Sequence, residues 1–211
     1  MRSGQPISSR FTIPLVLSIV CLTMSACAGS QPAVDTSTNM RAEYEAPAKE
    51  LRKSAEGGDA SAQNALGLLY YEGKGVPQDY RQAKQWFEEA AKQGHAGAQV
   101  NLGTLYLNGD GAPESEQMAL FWFSRAAAQR DALAFAKLGR MYERGRGVSQ
   151  DLIQAHMWYN LSAAHGVKPA AEARDALAKQ MTPTQIAEAE RLAREWKPKD
   201  RPGVVPTTAG R

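Results

Sequence analysis

The sequence predicts an all-α fold, a solenoid of helix–turn–helix repeats with a 36-residue period, capped at both ends. Three observations predict it. Segments near 62–97, 98–133 and 134–169 align without a gap. Within each, apolar residues recur at helical spacing on both sides of a Gly-x-Gly loop. Shorter, degenerate copies flank the array, as terminal units of a stacked repeat must.

Length and composition allow this reading. The 211 residues suit one domain with tails, and a hydrophobic content of 43% is that of a folded chain. Net charge is +3, nearer +1 once Arg2 and Arg10 leave with a signal segment. That balance provides no electrostatic footprint for nucleic acid. Both cysteines, Cys21 and Cys27, precede the repeats, so no disulfide can staple them.

Residues 1–26 read as a signal peptide, with Arg2 and Arg10 as its positive region and 11–24 as its apolar core. Fourteen residues suit a signal better than a membrane span. Ser25-Ala26-Cys27 after that core resembles a bacterial lipoprotein signal, which implies that Cys27 becomes the first mature residue and carries lipid. Met24 stands where that signal usually has Leu. Cleavage after Ala28, in an A-x-A frame, and an uncleaved anchor are the alternatives. Ala28 after the cysteine, rather than Asp, implies by the same resemblance an outer-membrane lipoprotein facing the periplasm, otherwise a periplasmic or secreted protein. Residues 27–45 form a tether poor in apolar side chains.

The solenoid is expected over 46–196. Glu50–Ala60 mirrors the end of a second helix, so a cap helix is expected over about 45–57. In the first copy, Ala62, Leu66, Leu69 and Tyr70 share one face of a helix over 60–72. The first glycine of the Gly-x-Gly pair closes it. A second helix over about 79–93 places Ala83, Trp86, Phe87, Ala90 and Ala91 inward, with Asp79, Ser115 and Asp151 as N-caps in the three copies. The repeat core comprises Leu66, Gly67, Tyr70 and Trp86, then Leu102, Gly103, Tyr106 and Trp122, then Leu138, Gly139, Tyr142 and Trp158. Glycine and alanine allow close backbone approach, and one Trp per copy is expected to fill the wedge between helices. Gly94 and Gly166 end the second helix, where the middle copy has Arg130. Pro169–Gln180 is a degenerate first helix. Thr182-Pro183-Thr184-Gln185 is a capping box opening a last helix to about Trp196. Residues 197–211 read as a disordered tail.

The pattern A-x(3)-L-G-x(2)-Y-x(2)-G-x-G-V-x(7)-A-x(2)-W-x(4)-A resembles the Sel-one-like repeat family, relatives of the tetratricopeptide repeat. The resemblance implies a right-handed superhelix and an adaptor or scaffold for protein complexes, in bacteria often of the envelope. By register from the tetratricopeptide concave face, a peptide-binding groove falls on Asn64, Leu68 and Tyr71, then Val100, Thr104 and Leu107, then Ala136, Arg140 and Glu143. Some Sel-one-like proteins carry a disulfide in each repeat and are linked to β-lactam chemistry. This chain has no repeat cysteine, so an envelope hydrolase or a secreted host-interaction factor stands only as an alternative.

Chemistry is otherwise thinly represented. The Gly-x-Gly loops join two helices rather than a strand and a helix, so they are not phosphate cradles. His95, His156 and His165 lack the i, i+4 partners of a helical metal site and read as surface or turn residues. Glu88 and Glu89 read as solvated. The expectation is therefore no catalytic residue, no metal and no cofactor, with a protein or peptide partner in the envelope. A membrane is engaged only through lipid, and neither nucleic acid nor a small-molecule substrate is expected.

Overall fold

The computed structural model describes residues 48–198, and every regular element among them is an α-helix. α1 (48–56) leads into three pairs: α2 (Ala60–Glu72) with α3 (Tyr80–Lys92), α4 (Ala96–Asn108) with α5 (Glu116–Ala128), and α6 (Ala132–Arg144) with α7 (Leu152–Ala164). α8 (Lys168–Ala178) and α9 (Pro183–Glu195) close the array against α7. From α2 to α8 each helix packs on the next in the chain, and α9 returns to α7, so the fold is an α-solenoid. The signal segment, Cys27, the tether to residue 45, the first turn expected for the cap helix and the tail beyond residue 198 lie outside the described residues. None of the described helices is long and apolar enough to cross a membrane.

The ends of the helices follow from single residues. Asp59 and Asp131 cap the first helices of copies one and three through their carboxylates, accepting from the amides of Ala62 and Ala134. Copy two has His95 there, whose Nδ1 accepts from the Ala98 amide at 3.1 Å. The histidine read as a turn residue is thus an N-cap, a role the aspartates 36 residues to either side foreshadow. Asp79, Ser115 and Asp151 cap the second helices. Arg130 sits at φ 63°, where Gly94 and Gly166 take φ 90° and 86°. The middle copy therefore carries a left-handed arginine at a glycine position.

The wedge between paired helices is filled by a different residue from the one expected. Phe87 and Phe123 are 1% and 0% exposed and Tyr159 is 3%, whereas Trp86 and Trp158 are only half-buried. One step along the second helix turns the side chain by about 100°, and that is the face turned to the first helix. The rings press on Gly67, Gly103 and Gly139, where a Cβ would stand 2.6–2.7 Å from a ring carbon. The repeated Leu-Gly thus marks the seat of the following helix's aromatic residue. Trp122 remains buried at 6%. Tyr70 is buried, and Tyr106 and Tyr142 are half-buried. Two of these tyrosines reach back to the preceding helix at equivalent positions: Tyr70 to Arg52, and Tyr106 to Glu88 at 3.3 Å. Glu88, expected to be solvated, is half-buried between Tyr106 and Lys84.

Consecutive copies are joined at the loops. In copies two and three the second glycine of the pair, at φ 68° in Gly111 and 70° in Gly147, lies against the first turn of the previous copy's second helix. A Cβ on Gly111 would meet the Tyr80 carbonyl at 2.4 Å, and one on Gly147 the Glu116 carbonyl at 2.9 Å. Beside Gly147, Arg146 binds Glu116 at 2.6 Å and Glu114 at 2.7 Å. Gln78 and Gln150 each donate to a carbonyl at the end of the preceding helix, at Tyr71 and Glu143. Glu114 cannot donate there, and Arg146 reaches the corresponding Leu107 carbonyl instead, at 3.4 Å.

The end of the array is built into the third copy. In copies one and two a glutamine pair bonds across the helices, exposed Gln93 donating to buried Gln63 at 2.7 Å and exposed Gln129 to buried Gln99 at 2.9 Å. The same positions in copy three hold Phe135 and His165, whose rings are 5.5 Å apart. Trp196, just past α9, then packs edge-on against Phe135 and Trp158. Thr182 and Gln185 form the full capping box that starts α9. His156, read from the sequence as a surface residue, is 3% exposed, with Nδ1 unpartnered among the described residues.

A candidate peptide groove

The first helices of successive copies lie side by side along one face. Asn101 of α4 donates to Asn64 of α2 at 2.9 Å, a bond between residues 37 apart in sequence. Just beyond it, Leu68, Tyr71 and Glu72 of α2 enclose a pocket with Asn101 and Thr104 of α4, floored by Phe87. Its volume is about 100 Å³. The scaffold that fixes this pocket is the packing described above: Phe87 is locked beneath Gly67, so the floor cannot shift.

Most of the groove residues expected from the register fall on this face. Asn64, Leu68, Tyr71, Thr104 and Leu107 are half-buried, as are Ala136 and Glu143, and Arg140 is exposed. Leu68, Tyr71 and Thr104 share the pocket. Thr104 also returns a hydrogen bond to the Val100 carbonyl. Val100 does not belong with them. It is 5% exposed and shares a buried cluster with Phe123, Ala127 and Ala134. It lies in the first half of α4, where the end of α5 and the start of α6 close over it. The pocket contains one residue the register missed, Asn101. Lys137 occupies the same repeat position in copy three, one place along from Ala136 as Asn101 is from Val100.

The third copy gives this face its charge. Glu143 accepts from the Tyr159 hydroxyl at 2.6 Å. Burial first, and Glu143 second, push the Tyr159 phenol above its ordinary range, so it stays a donor. Lys137 is half-buried, and burial together with Arg140 pulls its ammonium below the usual lysine range. Away from this face, a broad depression of about 510 Å³ lies between the loops of copies one and two, bounded by Tyr80, Arg81 and Gly111. At the next junction Arg146 and Glu116 form an ion pair. Among the described residues no group of His, Cys, Asp or Glu is placed to hold a metal.

Comparison with known proteins bears on this arrangement. The family model for the Sel1 repeat matches residues 60–95, 96–131 and 132–167, together more than half the chain. These bounds begin two residues before the aligned segments, at the capped starts of α2, α4 and α6. One similar solved structure is c5321, a protective antigen present in uropathogenic Escherichia coli strains and displaying an SLR fold. It matches at 34% identity with a TM-score of 0.66, over 70% of this chain and 32% of its own. The present chain thus spans about a third of that relative. A Sel1 repeat protein from Oxalobacter formigenes matches at 36% identity with a TM-score of 0.54, over 61% of this chain and 96% of its own. No curated protein matches.

Proposed function

Because this chain belongs to the Sel1 repeat family, whose members are generally protein-interaction scaffolds, we propose that it is a non-enzymatic adaptor of the bacterial cell envelope, held there by lipid on Cys27 and binding a protein segment along the face of α2, α4 and α6. The observation that carries the binding assignment is the pocket between Leu68, Tyr71, Asn101 and Thr104. Positions that recur in all three copies are spent on packing, whereas this pocket is built from positions that differ between them. A groove mixing apolar side chains with free amide groups suits a peptide chain.

Leu68→Glu with Leu107→Glu places two charges on the groove while leaving Leu66, Leu102 and the glycine seats intact. Capture of the partner from envelope extract should be lost in that variant with helicity retained, and unchanged capture refutes the groove. Anchoring is tested separately by metabolic palmitate labelling. Label is expected on the wild-type chain and not on Cys27→Ala. A secreted, host-facing factor is the second reading, favoured by the protective antigen among its structural neighbours.

A further inference from the structure

Charge is unevenly distributed along the groove. Copy one presents Leu68 and Tyr71, copy two Asn101, Thr104 and Leu107, and copy three Lys137 and Arg140. Asn101 and Thr104 line the pocket against α2. Lys137 and Arg140 stand 36 residues on, so the register sets them in the same relation to α4. Two lysines among the described residues are half-buried, Lys84 and Lys137. Lys84 has Glu88 at 2.7 Å. Lys137 has no hydrogen-bond or ion-pair partner among the described residues, and the charge that acts on it is the like charge of Arg140. Glu143, the acid of that helix face, is engaged by Tyr159. A partly desolvated ammonium beside a second cation destabilises the fold unless an anion is supplied.

We infer that the groove takes an extended peptide whose carboxylate, terminal or from Asp or Glu, is received by Lys137 and Arg140 while an apolar side chain occupies the pocket at Leu68 and Tyr71. Asn101 lines that pocket, and Asn64 is bonded to it. Their mutual bond uses one amide N–H and one carbonyl, leaving the Asn64 NH₂ and the Asn101 carbonyl for the N–H and C=O of a peptide backbone. A peptide presents apolar, amide and carboxylate groups together, which a free anion or a nucleic acid does not.

The inference rests on the groove reading, and one experiment separates their fates. A fluorescein-labelled dodecapeptide library with one fixed Leu and otherwise degenerate positions is selected on the full chain in detergent. Asp, Glu or the free C-terminus should be enriched to one side of the Leu. The best peptide should bind roughly tenfold more weakly to Lys137→Met and to Arg140→Met, the loss of one charge-assisted contact. Replacing its acid by the amide should cost as much in wild type and nothing further in Lys137→Met. Lys137→Met should melt no lower than wild type, since it keeps the aliphatic stem and removes an unpaired charge. Selection without acids, or binding unchanged in Lys137→Met but lost in Leu68→Glu, overturns the carboxylate assignment and leaves the groove standing. Binding that survives Leu68→Glu, or no binding by any peptide, overturns both. Displacement of the peptide by oligothymidylate at equal concentration overturns the choice of a peptide.

Discussion

Gly67, Gly103 and Gly139 hold the repeat together through what they lack. A methyl group there would lie 2.6–2.7 Å from the Phe87, Phe123 or Tyr159 ring. Gly103→Ala should therefore lower stability by about 1–3 kcal/mol in urea unfolding, as overpacking in a tight core does. Arg130 is the opposite case. Its left-handed backbone costs a side chain about 1–2 kcal/mol, and glycine's greater freedom in the unfolded chain returns part of that. Arg130→Gly should raise stability by up to about 1 kcal/mol, and a lowered midpoint would contradict the assigned strain. The glycine recurrence, the caps of the second helices and the position of Arg130 were legible in the sequence because each is a local backbone requirement. The wedge was not. Trp and Phe are neighbours on the second helix, and only the orientation of that helix against its partner decides which one turns inward.

At the scale of elements, the junction between copies two and three depends on Glu116. The Arg146 guanidinium, and then the Gly147 amide, hold its carboxyl below the usual range. A depressed carboxylate contributes stability that is present above its unfolded pKa and is lost as pH falls through the folded one. Wild type should accordingly lose stability as pH falls below the ordinary glutamate range of about 4.5, and Glu116→Gln should flatten part of that limb in a pH series of thermal melts. The α7–α9 contact responds in a different window. Burial, and then Arg174, lower the His156 pKa, against the weaker pull of Glu190 and Asp175. A neutral buried histidine makes the unfolded state the better proton binder, so stability is present above about pH 6.5 and declines as pH falls below it. Trp196 fluorescence should report loosening of α9 over that range, and His156→Gln should abolish the dependence. A spacing argument applied to one histidine could not reveal its burial, because the groups that surround it include Arg174 and Asp175 of α8 and Glu190 of α9, all well beyond its own helix in sequence.

At the scale of the whole molecule, the array and its caps were readable from internal repetition, and the solenoid follows because no single pair can bury its own apolar face. The face that holds the pocket was readable only in part. Register located Leu68, Tyr71 and Thr104, and it misplaced Val100 because the stripe slides under the next copy at its inner end. It also passed over Asn101 and Lys137, whose importance depends on which side of a helix faces its counterpart two helices on. Removing the terminal unit should show how far stability is shared. Trp196→Ala should cost roughly 1–3 kcal/mol for a half-buried aromatic side chain. Hydrogen exchange should quicken in α8 and α9 more than in α2 and α3, and uniform quickening would mean that the array unfolds as one unit.

The loop contacts carry a consequence for how such a chain can lengthen. A loop residue of each copy, Lys74, Asp110 or Arg146, occupies the place that in copy three meets the previous copy's second helix, at a position held by Tyr80 or Glu116. Arg146 suits Glu116, and a tandem duplication of copy two would instead bring Asp110 onto Glu116, acid against acid. A duplicated copy one placed after copy two would bring Lys74 there and keep opposite charges. The three copies are therefore not interchangeable beads. Their order is written in the loops, and gene duplication or design can extend this array only along the seams whose charges agree.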